Sequence, residues 1–433
     1  MNGNKDFVFY MRLQQYYDAL GKLAEPSNKE EKQDGVFHYT TTKVLNAILS
    51  TGCFRASNLF YLNDKVEYKM GIQILKQLFK EDKTISEYIK EIEVYDGKSW
   101  GGVYSISYSN KPDVLQQWIT YAKESGVCIE LDSDIIWGNA EENGLYMKIK
   151  VGKDSFVRFK SKCFLKLAYE KDAISPDSQI PQLNKDMIRE VFAEAILRSK
   201  HETGKNINLD EKQVYDIWRN NKEEAKQFLQ LLASYYKEER FSGEGEIRAA
   251  FLPVYKSKKS HSNICYFEQE NGVLRPYINV FFSRNDNENG EFSIECPIKS
   301  ILIGPSGDQL SVYNSVVHRL KYGEVKVWKY SKTQLAKQLS NFVLGCYEKN
   351  EDLKIEAYRE IAEYIADKWC AESNFSYDIN IATKKKVDIV LKDECYCKTK
   401  DINKNEVALH YMEDNYLSPT GIWVKKSSLP YIF

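Results

Sequence analysis

The sequence predicts an α+β fold: a mixed or split β-sheet core carrying a helical insertion and a helical C-terminal extension. Three observations predict it. Short β-type segments recur from Val36 to Lys329 with helices intermixed, and helix-period segments concentrate between Asp186 and Arg240 and again after Ser331. No repeat of solenoid period is visible along the chain.

The elements follow in order. Phe7, Tyr10, Leu13, Tyr17, Leu20 and Leu23 recur at helical spacing, so 1–25 reads as a helical lead-in, and Pro26 and Gly35 break the polar stretch after it. Residues 1–34 thus precede the core. Segment 36–39 reads as a short strand, 41–51 as a helix closed by Gly52, and 54–62 as extended chain. Val66, Met70, Ile74, Leu75 and Leu78 make 65–79 a helix, and 102–107 and 127–131 read as strands around a helix at 115–122. The block 186–240 reads as a helical insertion, with Val191, Phe192, Ala195, Trp218, Phe228, Leu232 and Tyr235 on its buried faces. Segments 247–255, 277–282, 301–303 and 325–329 return to strand character, so the core spans 35–330. Helices at 333–347 and 352–370 open the extension 331–433, which ends in an extended run at 421–431.

Composition narrows the class. With 433 residues, 43% hydrophobic and 28% charged, the chain is neither disordered nor fibrous. Its 61 Lys and Arg nearly cancel 62 Asp and Glu, so no global field draws nucleic acid or an anionic membrane. No apolar run reaches the roughly 18 residues of a membrane span, and Met1-Asn2-Gly3-Asn4-Lys5-Asp6 lacks the apolar stretch of a signal peptide. A cytoplasmic location without a membrane is expected. Nine cysteines, an odd number in a large chain, fit reduced thiols rather than a disulfide framework. The 30 tyrosines either supply stacking surfaces for a base or follow the composition of the genome.

Phosphate-loop, His-Glu-x-x-His and Gly-x-Ser-x-Gly signatures are missing. Cys395 and Cys397, with Cys370 and His410 nearby, lack a second Cys pair, so no metal is expected. The residues that can carry chemistry fall in ordered blocks. They are Phe37-His38-Tyr39-Thr40; Arg55, then Tyr61-Leu62-Asn63-Asp64 with Glu67; Tyr104-Ser105-Ile106-Ser107; and Gln117-Trp118 with Tyr121. Glu244-Gly245-Glu246-Ile247-Arg248, Leu274-Arg275-Pro276-Tyr277 and Ile303-Gly304-Pro305 complete the set.

Four of these blocks also have a purely structural explanation. His38 between two aromatics is either a ligand contact or a hydrogen-bonded core histidine. Asp64 with Glu67 three residues later forms a capping-box arrangement. Trp118 and Tyr121 share a helical face that favours a core role. Glu246 and Arg248, two apart on one strand face, form either an ion pair or part of a catalytic site, and Glu244 shares that face.

In this order, over roughly residues 35–330, the blocks resemble a widespread bacterial family of unknown function. Its members commonly end on Ser-x-Ile-Pro-Tyr. Ser427-Ser428-Leu429-Pro430-Tyr431 is similar but lies about 100 residues further on, so the extra segment is an insertion before the last strand, or 325–331 is itself that strand. More distantly, a His-x-Thr strand, a Gly-terminated helix, an aromatic segment, a Ser strand and a late Glu resemble the NAD-binding core of ADP-ribosyltransferases.

That second resemblance implies roles. His38 anchors a ribose with Thr40 in support, Tyr61 or Tyr39 stacks on the base, Asn63 and Ser107 help hold the ligand, and Glu246 is the catalytic carboxylate. Arg55, Arg248 or Arg275 binds pyrophosphate, which a guanidinium fork matches. Cleavage at an anomeric carbon passes through an oxocarbenium-like state that a carboxylate stabilises, so one Glu suffices. NAD would be a substrate, and the resemblance implies a toxin or phage-defence effector with a macromolecular target and a silencing or antitoxin partner. The alternatives are a non-enzymatic sensor of a nucleotide or nucleic-acid end, and a nuclease using Asp64, Glu67, Glu130 and Asp132 to gather a divalent metal.

Overall fold

The computed structural model describes residues 15–17, 19–20, 22–23, 35–61, 67–93, 102–122, 126–137, 145–150, 156–159, 164–169, 184–200, 209–252, 264–268, 274–285, 292–383, 386–392 and 405–429. Helices and a mixed sheet make up an α+β chain that divides into two compact units. The first comprises residues 1–36, 53–111 and 133–294; the second comprises 37–52, 112–132 and 295–433.

In the first unit the strand order is Tyr104–Ser109, Cys53–Asn58, Leu274–Asn285, Leu145–Lys150, Phe156–Phe159. Glu246–Phe251 lies antiparallel to both Tyr104–Ser109 and Phe164–Lys166, and Ile264–Glu268 is antiparallel to Leu274–Asn285. Side chains alternate across a pleated strand, so directly paired residues share a face. One face is apolar: Phe54, Ala56, Tyr104, Ile106, Tyr108, Ile247, Ala249, Phe251, Ile278, Val280 and Phe282 are all buried. The other face carries the polar residues described below.

The predicted helical insertion is three helices, Lys185–Lys200, Glu211–Asn220 and Lys222–Ala233, beside Glu67–Leu78 and Lys83–Glu93. Phe192, Trp218 and Phe228 pack ring against ring among them. Gly71 allows the close approach of Glu67–Leu78 to Lys222–Ala233, because a Cβ there would lie 1.9 Å from the Ala233 carbonyl oxygen. The insertion ends earlier than its sequence pattern predicts. Tyr236–Lys237 leaves the helix as a short strand parallel to Ala168–Tyr169.

In the second unit the order is Asn415–Leu417, Trp423–Lys426, Ile298–Ile303, Gly126–Leu131, Val36–Thr41. Helix Thr42–Thr51 starts on the Thr41 hydroxyl, which accepts from the Val44 amide, and stops at Gly52 in the left-handed region. The predicted helix at 115–122 is one α-turn, Leu115–Gln117, followed by a π-helical Trp118–Ala122.

Two expectations need correction here. The stretch 325–329 is not a strand; Val327 makes only an isolated bridge to Cys296, while Trp423–Lys426 pairs along Ile298–Ile303 in parallel. The C-terminal extension, expected to be helical up to a final extended run, also carries strands within it. Between Ile355–Ser373 and Glu406–Asp414 lies a hairpin, Ser376–Thr383 with Lys386–Lys392. Its Val387, Ile389 and Leu391 are buried at period two, with Lys386, Asp388 and Lys392 facing out. Cys53, Cys128, Cys265, Cys296, Cys346 and Cys370 are free thiols. Among the described residues, no helix is long and apolar enough to cross a membrane.

Candidate functional site

Antiparallel register gathers the polar residues of the first unit. Glu246 lies opposite Ser109, Arg248 opposite Ser107 and Ala250 opposite Ser105. Ser105 in turn faces Ser57, Ser57 faces Tyr277, and Arg55 faces Asn279. By alternation Arg275, two residues from Tyr277, falls on this same face. Arg55, Ser107, Glu246, Arg248 and Arg275 are therefore brought to one side of one sheet. The Arg55 guanidinium stacks 4.9 Å from the Tyr277 ring centre. Ser107 is exposed, whereas Ser105 is buried and its hydroxyl has no hydrogen-bond partner among the described residues.

The Glu246 carboxylate is the centre of a buried charge cluster. Its Oε1 accepts from Arg248 Nε at 2.9 Å and Nη2 at 2.6 Å, and its Oε2 accepts from Lys237 Nζ at 2.7 Å. Lys237 Nζ also donates to Glu244 Oε2 at 2.8 Å and lies 4.7 Å from the Phe241 ring centre. Arg248 Nη1 donates to the Ser234 carbonyl. Side-chain exposure is 2% for Lys237 and Arg248, 5% for Glu246 and 15% for Glu244, so Glu244 is the outermost of the four. Burial by itself raises the Glu246 carboxyl, but Arg248 and Lys237, with a hydrogen bond from Ser107, outweigh it and bring the group down to about 2. Glu246 is ionised throughout the physiological range.

The turn before Glu246 is built to hold it. Ser109 Oγ donates to the Glu244 carbonyl at 3.0 Å, and the Asn110 amide donates to the Gly245 carbonyl at 2.8 Å. Gly245 sits at φ 54, and a Cβ there would meet Asn110 Oδ1 at 1.9 Å. Both the backbone and the space call for glycine.

The remaining predicted residues are placed elsewhere. Tyr61 ends the short helical turn Leu59–Tyr61 of the first unit and is 39% exposed. Asn63 and Asp64 lie outside the described residues, and Glu67 opens helix Glu67–Leu78. His38, Tyr39 and Thr40 belong to the second unit. His38 is half-buried and Thr40 buried, on the strand face opposite Tyr39. Tyr39 packs edge-on against Trp118 with centroids 4.9 Å apart, and its hydroxyl accepts from the Val114 amide. Its ring is enclosed in a core with Phe37, Ala122 and Cys128, so of the two tyrosines considered for base stacking only Tyr61 is exposed. Trp118 is likewise core, and Tyr121 is exposed.

Sequence reasoning missed Lys237, which the periodicity had assigned to a helix, and placed Ser105 in a candidate block without giving it a role. A signal for the turn was present: a glycine between two glutamates, three residues before an arginine on a strand.

Among the described residues, no three His, Cys, Asp or Glu side chains gather as a metal site. Glu130 accepts from Lys299 and Ser300, and Asp132 accepts from the Tyr330 hydroxyl at 2.7 Å. Cys395 and Cys397 lie outside the described residues. Comparison of the chain with family models, curated proteins and solved structures gives no match.

Proposed function

We propose that the chain is a NAD-consuming effector of the ADP-ribosyltransferase type, cleaving the nicotinamide glycosidic bond at the polar face of the first-unit sheet. What carries this reading is the register that puts Ser107, Glu246, Arg248, Arg55 and Arg275 on one side of that sheet. Arginines suit the diphosphate, hydroxyls suit the ribose, and exposed Tyr61 suits a base. An ionised Glu246 supplies the negative charge that an oxocarbenium-like centre needs. The reading includes a macromolecular acceptor of ADP-ribose, a silencing partner and a role as a bacterial toxin or defence effector.

The test follows nicotinamide release from NAD by mass spectrometry, with and without cell lysate, in the wild-type and Glu246→Gln proteins. Loss of release in the folded variant supports the reading, and unchanged release removes Glu246 from the mechanism. One observation favours a second reading, a nucleotide sensor without turnover. Both Glu246 oxygens already accept from buried cations, which offsets the charge a transition state would use. NAD binding in a calorimeter without nicotinamide release, with or without lysate, would select the sensor.

A further inference from the structure

Lys237 is buried, and its ammonium donates to two carboxylates that differ in accessibility. Glu246 is locked from the other side by Arg248, whereas the Glu244 carboxylate has Lys237 as its only partner among the described residues and lies closest to solvent. The Glu244 backbone is fixed by the Ser109 hydroxyl, which donates to its carbonyl, and the residue before it, Gly243, is exposed. At 15% exposure, against 5% for Glu246, the Glu244 carboxylate is the one of the pair that reaches solvent and can turn outward while its backbone stays in place. Turning it away would take one of two carboxylate partners from a buried ammonium, a loss that water replaces poorly. Only another anion can take its place without that cost.

We propose that Lys237 is an anion-receiving residue of this site and that Glu244 plugs it in the empty protein, leaving when a phosphate group of the ligand binds Lys237. The inference rests on the reading that the polar sheet face takes a phosphate-bearing ligand. The class of ligand is a diphosphate or a nucleotide carrying one. A phosphate group restores the charge that Glu244 removes, and Arg55 and Arg275 add two guanidinia on the same face. Ser105 supplies a second, independent sign of a missing polar partner: a 4% exposed residue on this face whose hydroxyl has none. Ser105 pairs with Ala250 and Ser57, two residues along from Arg248 and Arg55 on those strands, and a hydroxyl there suits a phosphate oxygen.

The test is binding of inorganic pyrophosphate to the full chain by isothermal titration calorimetry, with Glu244→Gln and Glu238→Gln compared with wild type. Glu244→Gln weakens the plug while keeping its shape, so pyrophosphate should bind about tenfold more tightly, a change of about 1.4 kcal/mol. The Glu238 carboxylate pairs with the exposed Arg240, and its variant makes the same change in net charge without touching the Lys237–Glu244 pair, so it should match wild type within about twofold. Circular dichroism checks that both variants are folded. Equal tightening in both variants would show a general charge effect and overturn the proposal. Unchanged or weaker binding in Glu244→Gln, or no binding to any of the three proteins, overturns it as well. Pyrophosphate holds no glycosidic bond, so this result stands apart from nicotinamide release.

Discussion

Lys237 Nζ lies 2.7 Å from Glu246 Oε2, with both side chains almost completely enclosed. One residue sits on a short strand leaving a helical block, and the other begins a sheet strand nine residues later. Their contact closes a neutral group of four charges, Lys237 and Arg248 against Glu244 and Glu246. A buried charge is tolerated only when paired, so these residues depend on one another.

Lys237→Met should destabilise the protein by about 3 kcal/mol, because it leaves two carboxylates short of a buried partner. Combining it with Glu244→Gln should cost less than the sum of the two single changes, since the pair shares one interaction. Urea denaturation of the four proteins measures both effects.

Acid should act through Glu246. Its folded-state value, about 2, lies below the ordinary value of 4.5, so its contribution to stability is complete above about pH 4.5 and is lost as pH falls toward about 2. In Glu246→Gln the melting temperature should therefore fall less steeply over that window than in wild type. Parallel acid titrations of the two proteins, read by thermal melts, check the sign.

Gly245→Ala should cost about 1–3 kcal/mol, from the left-handed backbone at φ 54 together with displacement of the Asn110 side chain. The same change should disturb the neighbouring carboxylates and reduce ligand binding at the polar face. Thermal unfolding and nucleotide titration read the two effects separately.

In the second unit, Asp113 holds a left-handed backbone at φ 55 and accepts from both Trp118 Nε1 and Ser427 Oγ. Leu429 packs on the same core. Ser427→Ala should cost about 1–2 kcal/mol through the lost charge-assisted bond, and truncation after Lys426 should cost more. Trp118 emission should shift to the red in the truncated chain, which a Trp118→Phe background isolates.

Much of the fold was legible because it rests on local signals. Helix Thr42–Thr51 announced itself by its apolar spacing and Gly52, and Glu246–Phe251 by its β-branched and aromatic content. Helix Lys83–Glu93, with Ile85, Tyr88, Ile89 and Ile92 at helical spacing, was also legible and went unassigned. The hairpin Ser376–Lys392 was harder, since its alternation is short and interrupted by charges.

The sequence by itself determined which segments are apolar, which turns need glycine, and that Glu246 and Arg248 share a strand face, because these depend on neighbours along the chain. Only the tertiary structure decided that Trp423–Lys426 joins Ile298–Ile303, that Tyr39 is core, and that Lys237 neutralises Glu244 and Glu246. Those outcomes turn on register between distant strands and on the desolvation of charge, and neither is encoded in the spacing of residues along one segment.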